Sequence, residues 1–236
     1  MDYPIEINPC PIIDAILELR FSNNNIPKSA IVGMVYNVIK SDFPKMENLP
    51  IFDIPEHVRN ADPNLKFKPL HLLKNDKYVV QLGSDVIVFG CSPQYVGWNI
   101  YSSFIYNYVE ELIKLKLFNS ITRIGLRYIN FFDTNIFNNI NTDVFYNGQP
   151  LKNSHKTIFT VFENHPYQNN LTISNSGKYK NSKGSIIDID SSIIGSMIQT
   201  NAESIKNIIE QLHKNEKELF FNQLKKEFLQ SLNPKY

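Results

Sequence analysis

Six charged residues on three strand-like runs are the side chains most able to share a site: Glu18, Arg20, Arg123, Arg127, Asp188 and Asp190. Each run alternates with period 2, which sends successive side chains to opposite faces of a sheet. In the first, Ala15, Leu17, Leu19 and Phe21 point one way, and Ile16, Glu18 and Arg20 the other. In the second, Arg123 and Arg127 share a face with Gly125 between them; in the third, Asp188 and Asp190 stand opposite Ile187 and Ile189. If all three runs join one sheet, its helix-free face gathers three arginines and three carboxylates. Arginine is suited to planar, bidentate recognition of carboxylate or phosphate. The set can therefore be a structural ion-pair network, an anion- or partner-binding face, or a carboxylate pair holding a metal. The first is the default. Arg20 and Arg127 are expected where the sheet is most covered, and Arg123 and Asp190 nearer the strand ends.

Other chemistry finds little support. Neither G-x-G-x-x-G nor a P-loop occurs, and Gly177-Lys178 and Lys183-Gly184 read as turn residues of a polar hairpin loop. Neither H-E-x-x-H nor G-x-S-x-G is present. His57, His71, His155, His165 and His213 are isolated, mostly in expected loops, and offer no metal-ligand spacing. Cys10 and Cys91 are too few for a disulfide framework and read as small buried hydrophobes. A Cys91–His71 nucleophile pair is conceivable but rests on proximity alone. No catalytic residue, cofactor or metal is expected. Trp98, the single tryptophan, opens a helical stretch and should pack under a loop with its N–H satisfied. The asparagine clusters (Asn23-Asn24-Asn25, Asn138-Asn139) follow a general Asn and Ile bias in composition and are not read as a site.

The elements that would position the charged face follow from pattern. The 236 residues, 42% hydrophobic and 20% charged, suffice for one domain with a real core. After the 11–21 strand, Ile31, Met34, Val35, Val38 and Ile39 mark a helix closed by Pro44. Residues 45–65 carry three prolines and read as a long loop. Strands at Phe67–Leu73, Tyr78–Leu82 and Val86–Cys91 form a meander, and a helix follows Pro93. Ile124-Gly-Leu-Arg-Tyr128 then matches Leu17-Glu-Leu-Arg-Phe21 in type. A short helical piece is expected at Asn141–Tyr146, and strands at Thr157–Phe162, Leu171–Ser174 and Ser185–Asp190. Helix from about Asn201 completes the chain, with Thr200/Glu203 and Asn215/Glu218 at capping-box spacing and a break near His213–Asn215. The fold class is thus α+β: an antiparallel sheet with helices on one face, built by duplication of a strand-helix-three strands-helix unit (about 11–118 and 119–232).

Lys+Arg (24) and Asp+Glu (23) nearly cancel, which disfavours bulk nucleic acid or anionic lipid as partner. With neither a leader pattern nor a membrane-length apolar run, a cytoplasmic location is expected.

Pro11 to Phe21, Tyr95-Val-Gly-Trp98, Arg123-Ile-Gly-Leu-Arg-Tyr-Ile-Asn130 and the closing Leu212-His213 to Leu229 helix occur in an order that resembles one family. The chain is similar, over nearly its whole length, to the "sporadically distributed protein" family of uncharacterised bacterial and archaeal proteins. The resemblance implies no activity, cofactor or catalytic residue. Its patchy distribution implies a role in phage defence or as an accessory subunit of a small operon-encoded system. The expected function is then that of a non-enzymatic module whose partner is another protein encoded nearby; the alternative is a sensor or enzyme that takes a small phosphate-bearing or other anionic ligand on the arginine/carboxylate face, and nucleic-acid binding is a weaker one.

Overall fold

The computed structural model describes residues 3–23, 25–151 and 154–236, and only the backbone of 196–197; Asn24 lies outside the described residues. In chain order the elements are β1 (Ile12–Ser22), α1 (Lys28–Ile39), β2 (Met46–Asn48), α2 (Glu56–Ala61), β3 (His71–Lys74), β4 (Tyr78–Leu82), β5 (Val86–Cys91) and α3 (Trp98–Lys114). There follow β6 (Ser120–Phe132), β7 (Phe145–Tyr146), β8 (Gln149–Pro150), β9 (Thr157–Asn164), β10 (Tyr167–Tyr179), β11 (Ser182–Ile198), α4 (Ala202–Gln223) and α5 (Lys226–Ser231). Nine strands form one sheet in the order β2-β3-β4-β5-β1-β6-β11-β10-β9, every neighbouring pair antiparallel. At its centre β1 and β6 meet with Glu18 opposite Gly125, Leu17 opposite Leu126 and Leu19 opposite Ile124.

Alternation in β1 and β6 does what period 2 requires. Ala15, Leu17, Leu19, Phe21, Ile124 and Leu126 are buried against Ile31 and Val35 of α1, Ile105 and Val109 of α3, and Ile205 and Ile209 of α4. A second apolar cluster joins Phe132, Ile173, Ile187 and Ile189 to Phe220 and Leu224 at the far end of α4. Tyr101 pins α3 to the sheet, its hydroxyl donating to the carbonyls of Phe89 (2.7 Å) and Ala15 (3.1 Å). Among the described residues no helix is long and apolar enough to cross a membrane.

Several expected boundaries move. Residues 45–65 are not a bare loop: they hold β2, a 3-10 turn at Pro50–Asp53 and α2, with Pro50 and Pro55 at helix starts where a missing N–H is harmless. The 67–73 strand shortens to β3, because Pro69 cannot donate to a ladder. Asn141–Tyr146 is not helical. Phe145–Tyr146 and Gln149–Pro150 form a two-stranded ribbon around Asn147-Gly148, both at positive φ, as an Asn-Gly hairpin turn demands. Gly177-Lys178 and Lys183-Gly184 lie inside β10 and β11, paired with each other, and the turn is at Lys180 (φ 50°). Finally, α4 is capped by Asn201, whose side chain accepts the Ser204 N–H (2.9 Å), and runs unbroken through His213–Asn215.

Candidate functional site

The sheet brings all six charged residues of the sequence reading together on its helix-free face, and they engage one another. Arg123 donates from Nη1 to Glu18 Oε1 (2.5 Å) and from Nη2 to both Asp190 oxygens (2.7 and 2.8 Å). Arg127 grips Asp188 in a two-point fork, Nε at 2.7 Å and Nη2 at 2.5 Å. Arg20 Nε lies 2.7 Å from Glu18 Oε1 but off its N–H direction, and its guanidinium sits 4.9 Å above the Phe67 ring. Asp14 is a seventh charge of this face, its carboxyl pushed up by burial, with Arg127 opposing and Asp188 reinforcing the shift.

Burial ranks these residues in the reverse of the sequence expectation. The Arg123 side chain is 11% exposed and that of Arg127 is 43%. The reason is Gly125. With no side chain there, the Arg123 guanidinium lies flat on the sheet and spans from β1 to β11; a Cβ at Gly125 would fall 2.1 Å from Nη1. Because the Arg123 and Arg127 guanidiniums already grip carboxylates, an anion at either has to compete with its bound carboxylate. Asp188 and Asp190 are likewise taken, and among the described residues no group of three His, Cys, Asp or Glu is arranged to hold a metal ion. His71 meets Asn48 Oδ1 (3.0 Å), while Cys91 donates to the Gln94 carbonyl (3.4 Å). Their strand partners, Leu82 and Tyr78, stand four residues apart on β4, roughly 13 Å at the usual rise, so the Cys–His pair is not formed.

A second site lies on the helix side, where the two apolar clusters meet. A cavity of about 580 Å³ opens between the N-terminal segment, the entry to α3, β6 and α4. Gly97 (φ 87°) makes the turn into α3 in a backbone region that favours glycine, placing Trp98 on the wall. The Trp98 indole stacks on the His213 ring at 3.9 Å and 8°, and its N–H donates to Glu210 (3.1 Å). The His213 Nδ1 meets the Tyr128 hydroxyl (3.1 Å), which lies 3.5 Å from that of Tyr95. The opposite wall is the N-terminal segment, tied to the C-terminal residues by Ile5 N–H to Lys235 O (2.6 Å) and Asn8 N–H to Leu232 O (2.7 Å).

Beneath the cavity is a buried polar cluster. Asn215 Nδ2 donates to Asn169 Oδ1 (2.8 Å) and Ser191 Oγ (2.9 Å), and the Ser191 N–H donates to Glu216 Oε1 (2.9 Å). Glu216 is only 2% exposed. Burial pushes its carboxyl well above the usual range; the Ser191 N–H works against this, while Asp190 and Asp188 across the sheet add to it. His213 moves the other way, down to about 3, through burial first and Lys217 second. The cavity thus presents an imidazole that burial keeps neutral, two tyrosine hydroxyls and a buried carboxyl group among apolar and aromatic walls. A lining of this kind is chemically able to hold and orient a small molecule.

The sequence reading missed this site because its residues come from four distant segments. One signal existed: the polar run His213 to Lys217 inside an otherwise apolar α4 stripe. In sequence the run reads as a helix break; in the structure it is the turn of α4 that faces buried polar partners. A scan against protein-family models finds none that matches, and no curated protein matches the chain. The family resemblance therefore rests on the quoted segments alone.

Proposed function

We propose that the chain is a non-enzymatic binding protein whose cavity holds a small, mainly apolar molecule. The observation that carries this reading is the 580 Å³ cavity itself, within the ~300–1,000 Å³ range of small-molecule sites and equipped with a few convergent polar groups. The anion-binding alternative on the arginine face is weakened by the carboxylates already seated there. A second reading, docking of a protein partner on the helix-free face, is favoured by exposed Phe159 and Val161 on edge strand β9. An internal duplication is supported by the β1–β6 register, in which the two matching segments face each other through Glu18 and Gly125.

The test uses the uncharged dye N-phenyl-1-naphthylamine together with the two cysteines. Cys10 is exposed on the cavity wall and Cys91 is buried, so a maleimide should label Cys10 first. The dye should brighten on binding, quench or shift Trp98 emission, and slow Cys10 labelling several-fold. Cys10→Trp should block dye uptake with little change in the unfolding midpoint. A dye that neither brightens nor protects Cys10 would refute the cavity reading.

A further inference from the structure

Within the cavity, charge is distributed unevenly. Glu6 is paired with Lys235 (3.2 Å). Glu216 is buried and burial raises its carboxyl, which favours the protonated, hydrogen-bond-donating form over the anion. His213 is neutral in the same range. Among the described lining residues this leaves Lys217 as the charged side chain without an ion-pair partner. Glu216 Oε1 accepts the Ser191 N–H, and the Ser191 hydroxyl is a second polar neighbour of the carboxyl. The cavity therefore offers, from successive residues of α4, an ammonium without an ion-pair partner and a buried acid group.

We propose that the cavity takes a molecule with an apolar body and a single anionic head, in the simplest case a monocarboxylate, the head lying between Lys217 and Glu216 and the body against the aromatic wall. The proposal rests on the cavity reading above and adds the chemistry of the ligand. An anion satisfies Lys217, whose ammonium is lowered from its ordinary range by burial, a cost that a counter-ion offsets. It also accepts the Glu216 O–H, and a charge-assisted bond of that kind is stronger than a neutral one. A cationic head meets the opposite conditions. It would sit beside Lys217 and would need Glu216 to ionise with Asp188 and Asp190 behind it on β11. An uncharged head would use the acid group and leave the ammonium unpaired.

The experiment is competition for the bound naphthylamine dye among octanoate, octanol and octylammonium, which share one apolar chain. Octanoate should displace the dye at least about tenfold better than octanol, a ratio that corresponds to ~1.4 kcal/mol. Octylammonium should be the weakest. Lys217→Met keeps the aliphatic stem and removes the charge. It should bring octanoate down to the octanol level while the dye still binds, which also reports that the variant is folded. Glu216→Gln retains an acceptor for Ser191 and a donor for the ligand, so the order of the three should persist. If the dye does not bind at all, the cavity reading fails. If it binds but octanol matches octanoate, or octylammonium wins, the cavity stands and the anionic class is wrong.

Discussion

Arg123 concentrates the electrostatics of the open face in one side chain. It is the least exposed of the three arginines and the one that joins three strands, through Glu18 on β1 and Asp190 on β11. Removing one partner of a fully buried pair costs ~3–5 kcal/mol because a charge is stranded; Glu18 and Asp190 keep some water contact, so Arg123→Ala should cost about 2–3 kcal/mol. Arg127→Ala, at a more exposed fork, should cost about 1 kcal/mol or less. Gly125→Ala should approach the Arg123→Ala loss, since its Cβ would occupy the place of the guanidinium. Chemical denaturation of the three variants decides the ranking, and equal, negligible losses would mean that the face is an ordinary solvated surface. The six residues and their shared face were legible in period 2 alone. Their burial order was not, because it depends on a missing side chain at residue 125 that lets residue 123 lie down.

Among the elements, α4 ties the molecule together. Its first half places Ile205, Ile209 and Leu212 in the cluster with α1 and α3, and its second half places Phe220 in the cluster with β10 and β11. Fully burying each such side chain is worth about 1.5–3 kcal/mol, so a chain ending after Thr200 should aggregate or fail to fold cooperatively. Within the full chain, Leu212→Ala should destabilise by about 2–5 kcal/mol. A soluble truncation with a sharp thermal transition would instead make the C-terminal helices a detachable arm. The apolar stripe of α4 was readable at helical spacing, and so were the β1, α1, α3 and β6 cores. The β7–β8 ribbon carried a readable Asn-Gly signal that the helical reading of 141–146 passed over. The extension of β10 and β11 through Gly177 and Gly184 had no such signal, since glycine pairs ordinarily mark the turn itself.

At the scale of the whole molecule, two buried titratable groups on one turn of α4 set opposing pH slopes. His213 is held down to about 3, against an unfolded value of ~6.5. The unfolded chain then binds the extra proton, so the stability from the neutral imidazole is present above pH ~6.5 and is lost as pH falls toward 3. Glu216 is raised well above its unfolded ~4.3, so the folded chain holds the extra proton. Its contribution is present below pH ~4.3 and is lost as pH rises toward the folded value. Above ~4.3 the two slopes, each up to about 1.4 kcal/mol per pH unit, oppose each other up to the folded Glu216 value, and above ~6.5 His213 contributes none. Glu216→Gln should therefore unmask a rise in the unfolding midpoint from pH 4.5 to 6.5 and a flat profile above it. His213→Phe should unmask the reverse, a fall that begins near pH 4.5 and continues upward. Both profiles are read by thermal unfolding in matched ionic strength. If Glu216→Gln kept the parental profile, Glu216 would be ionised in the folded protein and could not be the proton donor at the cavity floor.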